Sequence, residues 1–178
     1  NRIVGYYDLS EAIPDMERND KMSVQAVRKY LARFGVDGRI QEFTKSSATV
    51  ELAAAVVGVI PARIAKTLSF KDGDGAMLVV AAGDAKVDNR KFKDTFGFKA
   101  KMLSSGDELE LVGHPVGGVC PFALKDGVKV YLDVSLQRFD TVFPAAGSAS
   151  SAVELSCDEL YECSGAEKWV DVCKLPDA

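Results

Sequence analysis

Six consecutive apolar residues, Met77 to Ala82, form a run of strand length with no polar side chain to give it a wet face. That is the pattern of a strand buried on both sides in the middle of a sheet. Its neighbours are legible around it. Ala65-Lys66-Thr67-Leu68-Ser69-Phe70 alternates as a strand does and sets Lys66 on the face of Leu68 and Phe70. Phe98 to Leu103, Val128 to Val134, Thr141 to Ala145 and Val153 to Leu155 read as further strands, and Lys168 to Cys173 as the segment that closes the sheet. Arg39 to Phe43 is short and extended.

Helix signals fall between these strands. Ser23 is positioned to cap a helix whose apolar residues Val24, Val27, Leu31 and Phe34 keep three- and four-residue spacing, with Gly35 as its left-handed stop. Thr49 caps Val50 to Val57, which Gly58 closes, and Pro61 opens a third helical turn. Asp88 to Phe96 reads as a helix carrying basic charge, and Ser105 or Asp107 begins a short helix ending near Gly113. Ser156 with Glu159 makes a capping box for a helix to Cys163. Helices and strands interleave without a strict βαβ rhythm, so the expected class is mixed α/β (α+β): one domain, a mixed sheet flanked by helices. The 178 residues are 47% hydrophobic and 27% charged, the balance of a single globular unit.

Composition narrows the function classes. The longest apolar run, Leu52 to Ile60, is far short of the ~20 residues that a membrane-crossing helix needs. No secretory h-region occurs in Asn1 to Asp20, so the expected location is cytoplasmic. Residues 1–21 read as an N-terminal extension appended to the domain. Cys120, Cys157, Cys163 and Cys173 lack paired metal-ligand spacing and have one histidine to join them, so no metal is expected and all four are read as thiols. The net charge of −4 speaks against a generic nucleic-acid binder. The charge is uneven, however: Lys86 to Lys101 holds six bases against two acids. That stretch is either a solvated helix face or a footprint for phosphates.

Four features could carry chemistry. Lys66, on an apolar face, either snorkels to the surface or holds a fixed positive charge in a pocket. The stretch from Gly113 through His114, Gly117, Gly118, Val119 and Cys120 to Pro121 is a loop by composition. Its glycine pair can present successive N–H groups to an oxyanion, or simply turn the chain. Within it, His114 and Cys120 could form a base and nucleophile, although a cysteine beside Pro121 and Phe122 is more often a small buried hydrophobe. Asp133, in Val130-Tyr131-Leu132-Asp133-Val134, points either inward to a partner such as Lys66 or outward to water. Ala145-Ala146-Gly147-Ser148 ends a strand with small residues, as a turn or as the wall of a pocket that selects by exclusion.

Together, Ser46-Ser47-Ala48-Thr49, Gly58, Ile64-Ala65-Lys66-Thr67-Leu68, Gly113 with Gly117-Gly118-Val119-Cys120-Pro121-Phe122, and Leu132-Asp133 resemble the YbaK family. That family includes the editing domain of bacterial prolyl-tRNA synthetases and its free-standing relatives. The resemblance runs from about Ser23 to about Trp169 and implies a curved mixed sheet, with residues 22–178 as the editing domain. It implies hydrolysis of the ester between a wrong amino acid and the terminal ribose of a transfer RNA, without metal or cofactor. The implied partners are the acceptor end of mischarged tRNA and a tRNA synthetase.

Carried over by position, Lys66, Gly118 and Asp133 are the expected catalytic residues. Thr49, Gly113, His114, Gly117, Val119, Pro121, Ala145 and Gly147 are the expected substrate-binding ones. Ala145-Ala146-Gly147 departs from the serine-glycine-glycine of some cysteine-editing members and turns the expectation toward a small amino acid, alanine before cysteine. Two rivals stand beside this reading: a non-catalytic module binding a nucleotide, amino acid or protein, and a thiol hydrolase using Cys120 and His114.

Overall fold

The computed structural model describes residues 9–45, 49–115 and 117–177, so Ser46-Ser47-Ala48 and Val116 lie outside the described residues. The chain runs α1 (Leu9–Ala32), β1 (Ile40–Glu42), α2 (Val50–Val57), β2 (Ile64–Asp72), β3 (Gly75–Ala82), β4 (Lys86–Val87) and α3 (Asn89–Phe96). It continues as α4 (Ser105–Asp107), prolonged by a π-helical turn over Glu108–Val112, then β5 (Lys129–Asp133), β6 (Thr141–Pro144), β7 (Ser151–Val153) and β8 (Leu155–Ser156). The last elements are α5 (Cys157–Ser164), β9 (Lys168–Val170) and β10 (Cys173–Lys174).

Six strands form the main sheet in the order β8-β6-β2-β3-β5-β9. β2 and β3 are an antiparallel hairpin, whereas β2–β6, β3–β5 and β5–β9 are parallel, so the sheet is mixed as expected. β3 is the inner strand that Met77–Ala82 demanded, and those six residues are at most 1% exposed. Removing each large side chain of such a run from water contributes ~1.5–3 kcal/mol. α3 lies over the Phe70 face, with the Phe92 ring 4.9 Å from that of Phe70 and the Phe96 ring 4.9 Å from that of Tyr131. α1 buries Val27 and Leu31, and its Tyr30 hydroxyl donates to the Cys163 carbonyl of α5.

Local signals placed most helix ends. Thr49 accepts from the Leu52 N–H and caps α2, which ends at Gly58 in the left-handed conformation. Asp88 caps α3, and the Ser156–Glu159 capping box opens α5. Three expectations change. The helix expected from Ser23 already runs from Leu9; Ser23 lies inside it, its hydroxyl engaged with His114 rather than capping. Phe98 to Leu103 is not a strand. It meets β2 through two backbone bonds, Lys71 N–H to Lys101 and Leu103 N–H to Ser69, while the Phe98 ring turns back onto Phe92 at 5.9 Å. The closing segment divides: β9 extends the main sheet beside β5, and β10 leaves it to pair with β4.

Candidate active site

A cleft opens where the ladder along β2 is interrupted. β6 pairs with β2 only at Ile64 and Ala65, and the register ends against Pro144, which has no N–H to offer. The same edge of β2 is next engaged at Ser69 and Lys71 by the segment around Lys101–Leu103. Lys66 and Thr67 lie in the gap, at a cavity of about 240 Å³. Thr49 and Ala53 of α2, Gly117 and Val119 of the long loop, and Ala145 after β6 also line it. Pockets for drug-sized molecules run ~300–1,000 Å³, so this one holds only the end of a larger ligand.

Lys66 is half-buried, and its Nζ donates to the carbonyls of Ala85 and Gly83. Two of the three ammonium N–H groups are thereby held, leaving one with no acceptor among the described residues. Among the described residues Lys66 has no carboxylate within ion-pair distance. Burial holds its pKa below the ordinary lysine value. The packing behind it is tight: a Cβ at Gly83 would stand 2.1 Å from the Pro61 carbonyl oxygen and 2.6 Å from Val50 Cγ1.

The long loop divides its work between the cleft and the scaffold. Gly117 and Val119 reach the cleft, but the Gly118 N–H, expected to hold an oxyanion, donates to the Pro115 carbonyl at 3.0 Å and closes a turn. Gly118 acts instead through its lack of a side chain, because a Cβ there would come within 2.7 Å of the Gly147 oxygen. Gly147 in turn lies against α1: with φ +103°, its Cβ position is 2.8 Å from the Ser23 carbonyl. It supports the wall, and Ser148 is the neighbour that lines the cleft. Gly113, at φ +103°, ends the π-helical turn, and Pro121 is buried. Neither lines the cleft.

His114 is 1% exposed and also lies away from the cleft. Its Nε2 is 2.6 Å from the Phe122 carbonyl oxygen and its Nδ1 2.6 Å from Ser23 Oγ. A carbonyl only accepts, so Nε2 carries the hydrogen and Nδ1 accepts from the serine. Cys120 Sγ lies 3.5 Å from that same Nε2, which has no lone pair for a thiol proton. Burial pushes the Cys120 thiol up to about 12 and lowers the His114 pKa. The pair packs as part of the scaffold, away from the cleft, in a state that speaks against nucleophile-and-base chemistry.

Asp133 points inward, 1% exposed, but its partners are not Lys66. One carboxylate oxygen accepts from the Ser135 N–H at 2.9 Å and the other from the Val172 N–H at 2.9 Å. It pins the end of β5 to the strand-leaving turn before β10 and does not line the cleft. Sequence reasoning missed Glu108, whose half-buried carboxylate lines the cleft and accepts from the buried Ser69 hydroxyl at 2.9 Å. It also missed Thr67, a cleft residue whose Oγ1 is buried without a hydrogen-bond partner among the described residues. Among those residues no group of three His, Cys, Asp or Glu is placed to hold a metal ion, and no helix is long and apolar enough to cross a membrane.

A mixed sheet with a small lysine-bearing cleft at an interrupted strand edge defines a class, and the comparisons name it. Residues 44–163 match the model of the aminoacyl-tRNA editing domain, and the chain belongs to that family. The chain is 55% identical over 154 residues to the uncharacterized protein YwhH of Bacillus subtilis (strain 168), covering 86% of this chain and 98% of that one. It is 30% identical over 132 residues to the proline–tRNA ligase of Lysinibacillus sphaericus (strain C3-41), covering 73% of this chain but 21% of the ligase. A solved structure described as a candidate trans-editing enzyme for prolyl tRNA synthetase superposes with a TM-score of 0.78 at 27% identity, covering 85% of this chain and 97% of the other.

Proposed function

We propose that this chain is a trans-acting aminoacyl-tRNA deacylase that hydrolyses the ester of a mischarged tRNA, with tRNA(Pro) bearing a small amino acid as the substrate. The observation that carries this reading is the Lys66 ammonium, held by two backbone carbonyls with one N–H left over, in a cleft that admits only the end of a substrate. The ligase and trans-editing relatives supply the tRNA(Pro) element of the proposal.

The chemistry follows from what the cleft offers. With Cys120 and His114 committed to the scaffold, the nucleophile is water. Its oxygen attacks the ester carbonyl carbon, the bond from that carbon to the ribose oxygen breaks, and a proton passes to the ribose oxygen, releasing free amino acid and intact tRNA. Lys66 donates its remaining N–H to a substrate oxygen, and the backbone N–H groups of Gly117 and Val119, in place of that of Gly118, stabilise the oxyanion. The ribose hydroxyl of the substrate acts as the general base. Ala53 and Ala145 leave space for a small side chain and bar the larger proline ring, since exclusion by a rigid wall discriminates further than the ~1–3 kcal/mol gained per methylene.

The test is deacylation of tRNA(Pro) charged with alanine, cysteine, serine or proline, by the native chain and by Lys66→Ala and Lys66→Gln. Glutamine keeps a donor for the carbonyls but no charge. Turnover of one mischarged species that both variants lose, with folding intact by circular dichroism, supports the reading. Survival of every species at saturating protein sinks it and leaves the domain as a binding module.

A further inference from the structure

The two charged groups of the cleft have opposite signs, one Lys66 and one Glu108. Glu108 is anchored from below: Oε1 accepts from Ser69 Oγ, and Ser69 is 1% exposed. The carboxylate is thus held at the wall with Oε2 still available. It has no cationic partner among the described ion pairs. A carboxylate with one oxygen unengaged, set in a cleft of small apolar residues, matches a compact cation that has several N–H donors and little bulk.

We infer that Glu108 is the subsite for the free α-ammonium group of the aminoacyl moiety, and so selects aminoacyl over N-acylated substrates. This rests on the deacylase reading and deepens it. With Lys66 drawing the oxygen-rich ribose end and Glu108 the ammonium, the cleft is bipolar and sets one orientation for the ester between them. Glu108 is a binding residue that fixes which carbonyl face meets the water.

The test uses adenosine carrying alanine through a non-hydrolysable 3′-amide, beside the same compound acetylated on its α-nitrogen. Titration of the native protein is expected to give an affinity for the free amine about tenfold or more above that for the acetylated form, the loss expected when a charge-assisted hydrogen bond is removed. Glu108→Gln keeps an acceptor for Ser69 but no charge, and is expected to erase that preference by weakening the free amine alone. Equal affinities in the native protein, or an undiminished preference in Glu108→Gln, overturn the assignment. The two readings fail separately: a retained ammonium preference without turnover of any charged tRNA sinks the deacylase and keeps the subsite, and turnover without the preference does the reverse.

Discussion

The Ser23 hydroxyl, in the middle of α1, donates to Nδ1 of the buried His114 ring at 2.6 Å, and so ties the first helix to the loop that supplies one wall of the cleft. Replacing Ser23 by alanine leaves Nδ1 buried with no donor, a defect of about 1–3 kcal/mol. For a chain of this length that corresponds to a fall in Tm of several degrees. Thermal unfolding followed by circular dichroism measures it. An unchanged Tm for Ser23→Ala would mean that the bond contributes nothing to holding α1.

The same ring makes stability depend on pH. Burial lowers the His114 pKa in the folded state below its ordinary 6.5. Between those two values the unfolded chain binds a proton that the folded chain does not, so stability is lost as pH falls from about 7 through that window. His114 is the only histidine. The expected result is that Tm falls between pH 7.5 and pH 5.5 more steeply in the native chain than in His114→Gln, which starts lower because its fit to Ser23 and Phe122 is poorer. Parallel slopes would contradict the assignment.

Cysteine chemistry offers a sharper contrast. With its thiol raised to about 12 and its side chain fully buried, Cys120 carries almost no thiolate at pH 8. Iodoacetamide is expected to label half-buried Cys157 ahead of Cys120 in the folded protein. Deacylation is expected to survive both this treatment and the substitution Cys120→Ala. Mass spectrometry of the labelled peptides, with activity measured on the same sample, checks both parts; loss of activity in step with Cys120 labelling would restore the thiol mechanism.

The difference between what was legible in the chain and what was not follows the range of the interactions. Thr49, Gly58 and the Ser156–Glu159 box speak to their own helix ends within three or four residues, and each bounds the helix it was expected to bound. The apolar run in β3 needs no knowledge of its neighbours to read as buried. The partners of Asp133 and Gly118 were not legible because Val172 and Pro115 meet them through backbone groups, which leave no mark in a sequence of side chains. Glu108 was missed because its anchor, Ser69, lies 39 residues away along the chain. A glutamate on a short polar turn reads as solvated until the fold brings it to β2. Lys66 was found because a charge inside an alternating apolar strand is anomalous on local grounds alone.

Glycine at 118 is required by space, and at 147 by space and conformation together. A Cβ at Gly118 would meet the Gly147 carbonyl oxygen at 2.7 Å and Ser148 Cα at 2.8 Å, all backbone that cannot swing aside. Gly118→Ala is expected to cost about 1–3 kcal/mol, as overpacking does, and to displace Ser148 at the cleft wall. Gly147→Ala adds a left-handed φ to a 2.8 Å approach to the Ser23 carbonyl, and is expected to be the less stable of the two. Denaturant midpoints rank the variants; Gly147→Ala as stable as the native chain would show that α1 is not packed against this turn.

Thr67 supplies a case in which a residue of the cleft bears on stability alone. Its Oγ1 is buried without a partner among the described residues, so Thr67→Val removes an unsatisfied acceptor while keeping shape and a β-branched side chain suited to the strand. The variant is expected to be more stable, by up to about 1 kcal/mol or a few degrees in Tm. Because its Oγ1 is closed to solvent and so to a ligand in the cleft, the same variant is expected to bind the free-amine and acetylated adenosine amides as the native chain does. Weaker binding of the free amine alone would show instead that the hydroxyl opens to the ligand. A fall in Tm would show that the hydroxyl is satisfied in the folded protein, and the argument from its burial would fail.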